Sequence, residues 1–241
     1  MFLRIAIWFG LFGLFGLVAA CDVVPTSDTN TGAASLVATT SGFSSAAQAQ
    51  RVFARVATKM EPVIERECRT KTTGLDCDFR IVIDGNPNSP ANAYQTLDTN
   101  KRPVISFTQK LILDAGNADE LAFVMGHEGA HHILNHIGRQ KQNSVAGAVI
   151  LGGLATLTGA APAGVEEAVK LGAQFGARGY SKDHELEADY LGAKLTALGG
   201  YSPVIGSEFI KRIPDPGDRF LGTHPSNEER LQVVQKALSE I

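Results

Sequence analysis

The chain has no run of basic residues, no face that mixes aromatic with basic side chains, and no glycine-rich loop able to cradle a phosphate. Nucleic acid and nucleotides therefore have nothing to hold on to. Neither sign of charge dominates: 22 Lys and Arg stand against 25 Asp and Glu, for a net charge of −3. Cysteine is scarce, three residues in all, and no histidine lies near Cys68 or Cys77, so a mixed cysteine–histidine metal site there lacks its second ligand type. The six histidines fall in three places: His127, His131, His132 and His136 together, His184 before an acidic cluster, and His224 near the end.

What is present begins with MFLRIAIWFGLFGLFGLVAAC, which runs from Arg4 through uncharged apolar residues to small ones and a cysteine. That is the layout of a secretory signal peptide, so residues 1–20 are expected to stand outside the fold. Val18-Ala19-Ala20-Cys21 resembles the lipobox of bacterial lipoproteins, which implies a lipid on Cys21. Cleavage leaving a free Cys21, and an uncleaved anchor, are the alternatives. The several acyl chains of such a lipoprotein contribute about 0.8 kcal/mol per buried methylene and hold a protein stably on a bilayer. The expected location is the periplasmic face of a bacterial membrane, inner or outer. Because that compartment is oxidising, Cys68 and Cys77 are expected to pair, with two separate thiols or a metal pair as alternatives. A bridge over so short a loop contributes about 2–3 kcal/mol in the chain-entropy model.

Residues 21–45 are small and polar without a sustained period, which reads as a lipidated flexible tether to a single domain over 46–241. From Ala46 to about Arg69, apolar residues recur at helical spacing around Pro62. Phe79–Ile83, Ala91–Leu97 and Pro103–Phe107 alternate or are β-branched and are divided by turn residues, so three short strands are expected. Helices follow: one from Asp119 to about Arg139, an alanine- and glycine-rich hairpin over 145–178 broken at Pro162, one from Ser181 to Leu198, and one capped by Ser226 with Glu229 in the capping-box position. Strands followed by helices define an α+β domain, mainly helical. The hairpin is too short on either side of Pro162 to span a bilayer. Its expected role is close backbone packing; an arm that dips into a membrane surface or flanks the cleft is the alternative.

His127-Glu128-Gly129-Ala130-His131 matches HExxH. On a helix, imidazoles four residues apart share one face and can close on one Zn²⁺, while Glu128, rotated by about 100°, can address a water beside the metal. His132 and His136 repeat the spacing without the following glutamate and read as supporting or surface residues. Ten positions after His127 stands Ile137, where one class of zinc protease would have its third histidine. Downstream, Ser181-Lys182-Asp183-His184-Glu185-Leu186-Glu187-Ala188-Asp189 offers Glu185 as third ligand, with Asp189 one turn later placed to orient a ligating histidine.

HEGAH, then YSKDHELEADYLG, then THPSNEERL, with NAYQ and DELAFVMGHE before them, resembles the HtpX- and BepA-type zinc metalloprotease family from roughly Asn92 to the C-terminus. The resemblance implies a zincin-like fold, one zinc on His127, His131 and Glu185, Glu128 as catalytic base, Asp189 in support, and His224 as a fourth ligand that gates the site; a plain loop histidine is the other reading of His224. This chain departs from the family's usual pattern at Leu97-Asp98-Thr99-Asn100 and at Lys182. The expected activity is that of a zinc endopeptidase acting on unfolded or misfolded envelope proteins. The strand near Asn92–Gln95 would pair with an extended substrate, and Tyr180, Arg178 and His224 are the candidate oxyanion donors. Competing readings are a zinc-containing chaperone or assembly factor with little hydrolysis, a structural lipoprotein with an accidental HEGAH, and hydrolysis of another amide such as a peptidoglycan cross-link. Oligomeric state leaves no trace in the sequence.

Overall fold

The computed structural model describes residues 42–179, 181–214 and 225–241. The expected signal peptide and residues 21–41 of the expected tether, with Cys21, lie outside the described residues, as do Tyr180 and His224, and the side chain of Arg178 is likewise not described. Among the described residues no helix is long and apolar enough to cross a membrane.

The first helix, α1 (Ala46–Lys71), starts where the Ser45 side chain accepts from the Gln48 N–H, and it carries Pro62 inside it. Three strands follow, β1 (Arg80–Asp84), β2 (Ala93–Leu97) and β3 (Pro103–Thr108), in the order β1-β3-β2. β3 runs parallel to β1 and antiparallel to β2. Every residue of β3 is buried, as its Val, Ile and Phe content suits, whereas β2 is an edge strand with most residues exposed. Thr108 closes the sheet onto the next helix, α2 (Gln109–Asp114): its hydroxyl accepts from both Leu111 and Asn92 N–H groups.

The histidine-rich helix is α3 (Ala118–Ile133), capped by Asn117 and opened by Asp119 and Glu120 at its positive end. Its core neighbours come from α1 and the sheet. Phe53, Val56, Met60 and Ile64 pack with Ile105, Phe107, Leu121 and Met125, and each such side chain contributes about 1.5–3 kcal/mol on full burial. The chain does not continue in one helix to Arg139 as the periodicity predicts. α3 is capped at Leu134, Asn135 adopts a left-handed conformation with φ 54°, and a new helix, α4 (His136–Leu157), begins. The periodicity misses the break because apolar residues continue through it.

The predicted hairpin is formed by α4 and α5 (Pro162–Gly179), with Pro162 at the first position, where its missing N–H costs nothing. α6 (Ser181–Leu198) and α8 (Asn227–Leu238) fall where expected, and the Ser226–Glu229 capping box is present. Between them α7 (Pro203–Ser207) and a 3-10 turn (Glu208–Arg212) were not legible in the sequence. Arg212 of that turn pairs with buried Glu120, tying the turn to the start of α3. Cys68 and Cys77 form the expected disulfide, joining the end of α1 to the segment before β1.

Candidate metal centre

α3 and α6 approach each other through two glycines. A Cβ at Gly192 would lie 2.8 Å from the His127 nitrogen, and one at Gly126 would lie 2.7 Å from the Gly192 carbonyl oxygen. Only residues without a side chain allow two helix backbones this close. The consequence is that His127 and His131 on α3 meet Glu185 and Asp189 on α6. His127 Nε2 and His131 Nε2 stand 3.0 Å apart, and the two Glu185 carboxylate oxygens lie 3.5 and 3.6 Å from them. Among the described residues these three form the group whose donor atoms all lie within 4.8 Å of one another.

The outer hydrogen bonds fix which nitrogens carry protons. His127 Nδ1–H donates to Asp189 Oδ1 at 2.9 Å, so the Nε2 of the neutral ring is a lone pair. His136 Nε2–H donates to Glu187 Oε2 at 3.1 Å; its Nδ1 then accepts, at 2.8 Å, from His131 Nδ1–H, which leaves the His131 Nε2 as a lone pair too. Two lone pairs and a carboxylate therefore converge on one gap with no hydrogen between them. Such a gap needs a cation, and two imidazoles with one carboxylate are a donor set that suits Zn²⁺.

The charges around the gap pull the two rings in opposite directions. Burial alone would lower His127, but hydrogen bonds to Asp189 and Glu185 and their charges outweigh it and raise the ring to about 10. Burial and the neighbouring His127 charge drive His131 down to about 3. Glu185 is partly buried, which opposes ionisation, yet its hydrogen bond to His127 and the charges of both histidines hold it well below the usual carboxylate range.

Two supports back the donors. Asp189, fully buried, takes a two-pronged pair from Arg230 of α8, with Nε donating to Oδ2 at 2.7 Å and Nη2 to Oδ1 at 2.8 Å. Behind His136, Glu187 is held by Arg139, so His131 is oriented through a chain that ends in a guanidinium. The His184 ring stacks on His136 with centroids 4.3 Å apart. His132 takes no part in this: its Nε2 donates to the Asp76 carbonyl at 2.7 Å, and its ring packs edge-on against Phe79. Glu128 is buried beside the gap, and burial, with the negative Glu185 nearby, pushes it up to about 7 against the opposing charge of His127 and a main-chain hydrogen bond from Gln95 of β2. A carboxyl poised there exchanges protons readily at neutral pH.

A cleft of about 880 Å³ runs over the site. β2, with Tyr94 and Gln95, and Asn92 just before it form one wall, and Ile137 and Gln140 at the base of α4 line it too. All four predicted α3 and α6 residues, His127, Glu128, His131 and Glu185, reach it, and Asp189 stands directly behind. Sequence reasoning missed Arg230 and the His136–Glu187–Arg139 chain. The signal for Arg230 was a buried carboxylate without a counter-charge, since Asp189 inside a helix core requires one.

A glycine-tight pair of helices bearing an HExxH sequence and a third carboxylate donor, alongside the edge strand of a small sheet, defines the zincin-like class of metallopeptidase fold. Residues 47–238 match the model of Peptidase family M48, and the chain belongs to that family. A Vibrio cholerae protein named for a beta-barrel assembly-enhancing protease is 34% identical over 135 residues, which are 50% of this chain and 28% of that one. The Arabidopsis thaliana mitochondrial metalloendopeptidase OMA1 is 29% identical over 122 residues, 49% of this chain and 24% of its own. The beta-barrel assembly-enhancing protease of Yersinia pestis is 28% identical over 139 residues, 52% and 28% of the two chains. The matched segments thus span roughly a quarter of those relatives.

Proposed function

We propose that the protein is a zinc-dependent endopeptidase of the bacterial envelope that cuts unfolded or misfolded proteins, held at a membrane through a lipid on Cys21. The observation that carries the reading is the convergence of two imidazole lone pairs and the Glu185 carboxylate on one gap beside a buried glutamate. His127, His131 and Glu185 would hold the metal. When bound, Zn²⁺ supplies Lewis acidity, polarising an amide carbonyl and making water a nucleophile near neutral pH.

Glu128 accepts a proton from the attacking water and delivers it to the leaving amine. Asp189 and Arg230 hold the His127 ring in the tautomer that presents Nε2, and His136 does the same for His131. The free edge of β2 offers main-chain groups to an extended polypeptide laid along the cleft, which favours unfolded over folded substrates. The names of the Vibrio and Yersinia relatives, beta-barrel assembly-enhancing proteases, support a role in the assembly of β-barrel proteins. In this reading His224 gates the site, as the family resemblance implies.

The test compares the wild-type protein with Glu128→Gln on an unfolded polypeptide, after both are shown to carry about one zinc per chain. Cleavage by the wild type alone assigns protease and base together. If both bind zinc and neither cuts, His224→Ala is assayed next; a variant that also fails to cut sinks the protease reading.

A further inference from the structure

The hairpin of α4 and α5 is built inside out for a water-soluble arm. Its seam is made of small residues: a Cβ at Gly147 would lie 2.1 Å from the Gly172 carbonyl oxygen, and one at Gly176 would lie 2.0 Å from that of Asn143. The large side chains are sent outward instead. Val149, Ile150, Leu154 and Leu157 on α4 are 68%, 67%, 56% and 87% exposed, and Phe175 on α5 is 56% exposed. Two helices in water bury their large apolar residues against each other; small residues at the seam and large ones outside is the arrangement of helices packed in lipid.

Charge follows the same division. From Gln142 to Val165 the chain has no charged residue. On α5, Glu166 and Lys170 pair one turn apart, on a flank away from Leu171 and Phe175. The uncharged part of α4, Gln142–Leu157, is about 24 Å long, short of a hydrocarbon core of about 30 Å, so the hairpin cannot span a bilayer. It is long enough to lie within one leaflet.

We propose that the α4–α5 hairpin docks into the surface of a lipid bilayer, its apolar flank among the acyl chains and Glu166, Glu167 and Lys170 on the aqueous side. Three observations choose lipid over a second copy of the chain. A protein interface is enriched in aromatic, Met and Arg anchors, and the outward face is almost wholly aliphatic, with Phe175 as its aromatic residue. The hairpin packs mainly on itself and joins the domain through the adjoining ends of α3 and α6, which leaves it free to enter another medium. The stretch from Cys21 to Gly42, at most roughly 70 Å when extended, lets a lipid on Cys21 keep the domain within reach of the same membrane. The last observation rests on the proposed lipid anchor; the first two do not. Because the base of α4 lines the cleft, docking would set the active site at a fixed height above the lipid surface.

The test uses the full chain reconstituted in vesicles of phosphatidylethanolamine and phosphatidylglycerol whose acyl chains carry bromine. The single natural tryptophan, Trp8, lies in the expected signal peptide and is replaced by Phe so that unprocessed chain is silent, and one reporter is introduced as Leu154→Trp or, on α2, as Leu113→Trp. The expected result is a blue shift and loss of emission to bromine quenching at 154 and neither at 113, both abolished when Ile150→Glu is added. An unquenched reporter at 154 overturns the proposal. So does a blue shift without quenching that grows with protein concentration, which would place a second copy on the face. Cleavage of a soluble unfolded polypeptide by the same proteins should be unchanged, and the mass of the mature chain reports the Cys21 lipid, so failure of docking, protease and anchor are told apart.

Discussion

Two helix pairs in this molecule use the same contact to opposite ends. α3 and α6 meet at Gly126 and Gly192, α4 and α5 at Gly147, Gly172 and Gly176, and each pair brings backbones to a distance no side chain tolerates. In the first pair the large and charged side chains turn inward, so that Glu128, His127 and Asp189 are buried around one gap. In the second Val149, Ile150, Leu154, Leu157 and Phe175 turn outward, and the seam glycines meet backbone and, at Gly152, the Val169 side chain. Close approach by glycine is therefore not a functional signature. What it concentrates depends on where the neighbouring residues point.

Breaking the first pair should cost far more than breaking the second. Glu128→Gln should lower kcat by about 10²–10⁴ with metal content unchanged, as removal of a general acid–base group does; steady-state kinetics beside a zinc assay checks it. Arg230→Ala strands the Asp189 carboxylate in the core and should destabilise the fold by about 3–5 kcal/mol, read by denaturant titration. Gly192→Ala forces α3 and α6 apart and should cost about 1–3 kcal/mol with weakened metal retention, read by melting and chelator competition. Gly172→Ala should loosen the hairpin and leave cleavage of a soluble substrate at the wild-type rate.

A pH series sharpens the contrast. Burial opposes ionisation of Asp189, but the Arg230 and His127 hydrogen bonds hold its pKa below the ordinary value of 3.8. A depressed folded pKa means that this carboxylate's stabilisation is fully present above 3.8 and fades as the pH falls below it. The stability gap between the wild type and Asp189→Asn should accordingly close on acidification below that value, while a Gly172→Ala gap stays flat.

Local signals were legible and long-range ones were not. Ser226 and Glu229 announced α8, turn residues divided the strands, and HExxH with Glu185 and Asp189 placed the donors, because each depends on residues a few positions apart. The parallel pairing of β1 with β3 across the intervening β2 is set by packing of distant segments, so the strands were foreseen and their order was not. His132 and His136 looked alike in sequence, both supporting or surface residues. Both are buried, but only His136 reaches the metal donors, while His132 fastens the end of α3 to the disulfide-bridged segment through the Asp76 carbonyl. For Arg230 the signal was indirect, the counter-charge that a buried Asp189 requires, and nothing local marked which cation of the chain supplies it.

Asn135 turns a spacing rule into a special case. On an unbroken helix His131 and His136, five residues apart, would point about 140° away from each other, yet their Nδ1 atoms meet at 2.8 Å because one left-handed residue resets the phase between them. The step acts as a frameshift in the helical code: everything after it is read in a new register, and a histidine that should face elsewhere is brought into line. Asn135→Gly should preserve that reading frame and Asn135→Val should not, which makes one exposed residue the punctuation on which the alignment of His131 depends.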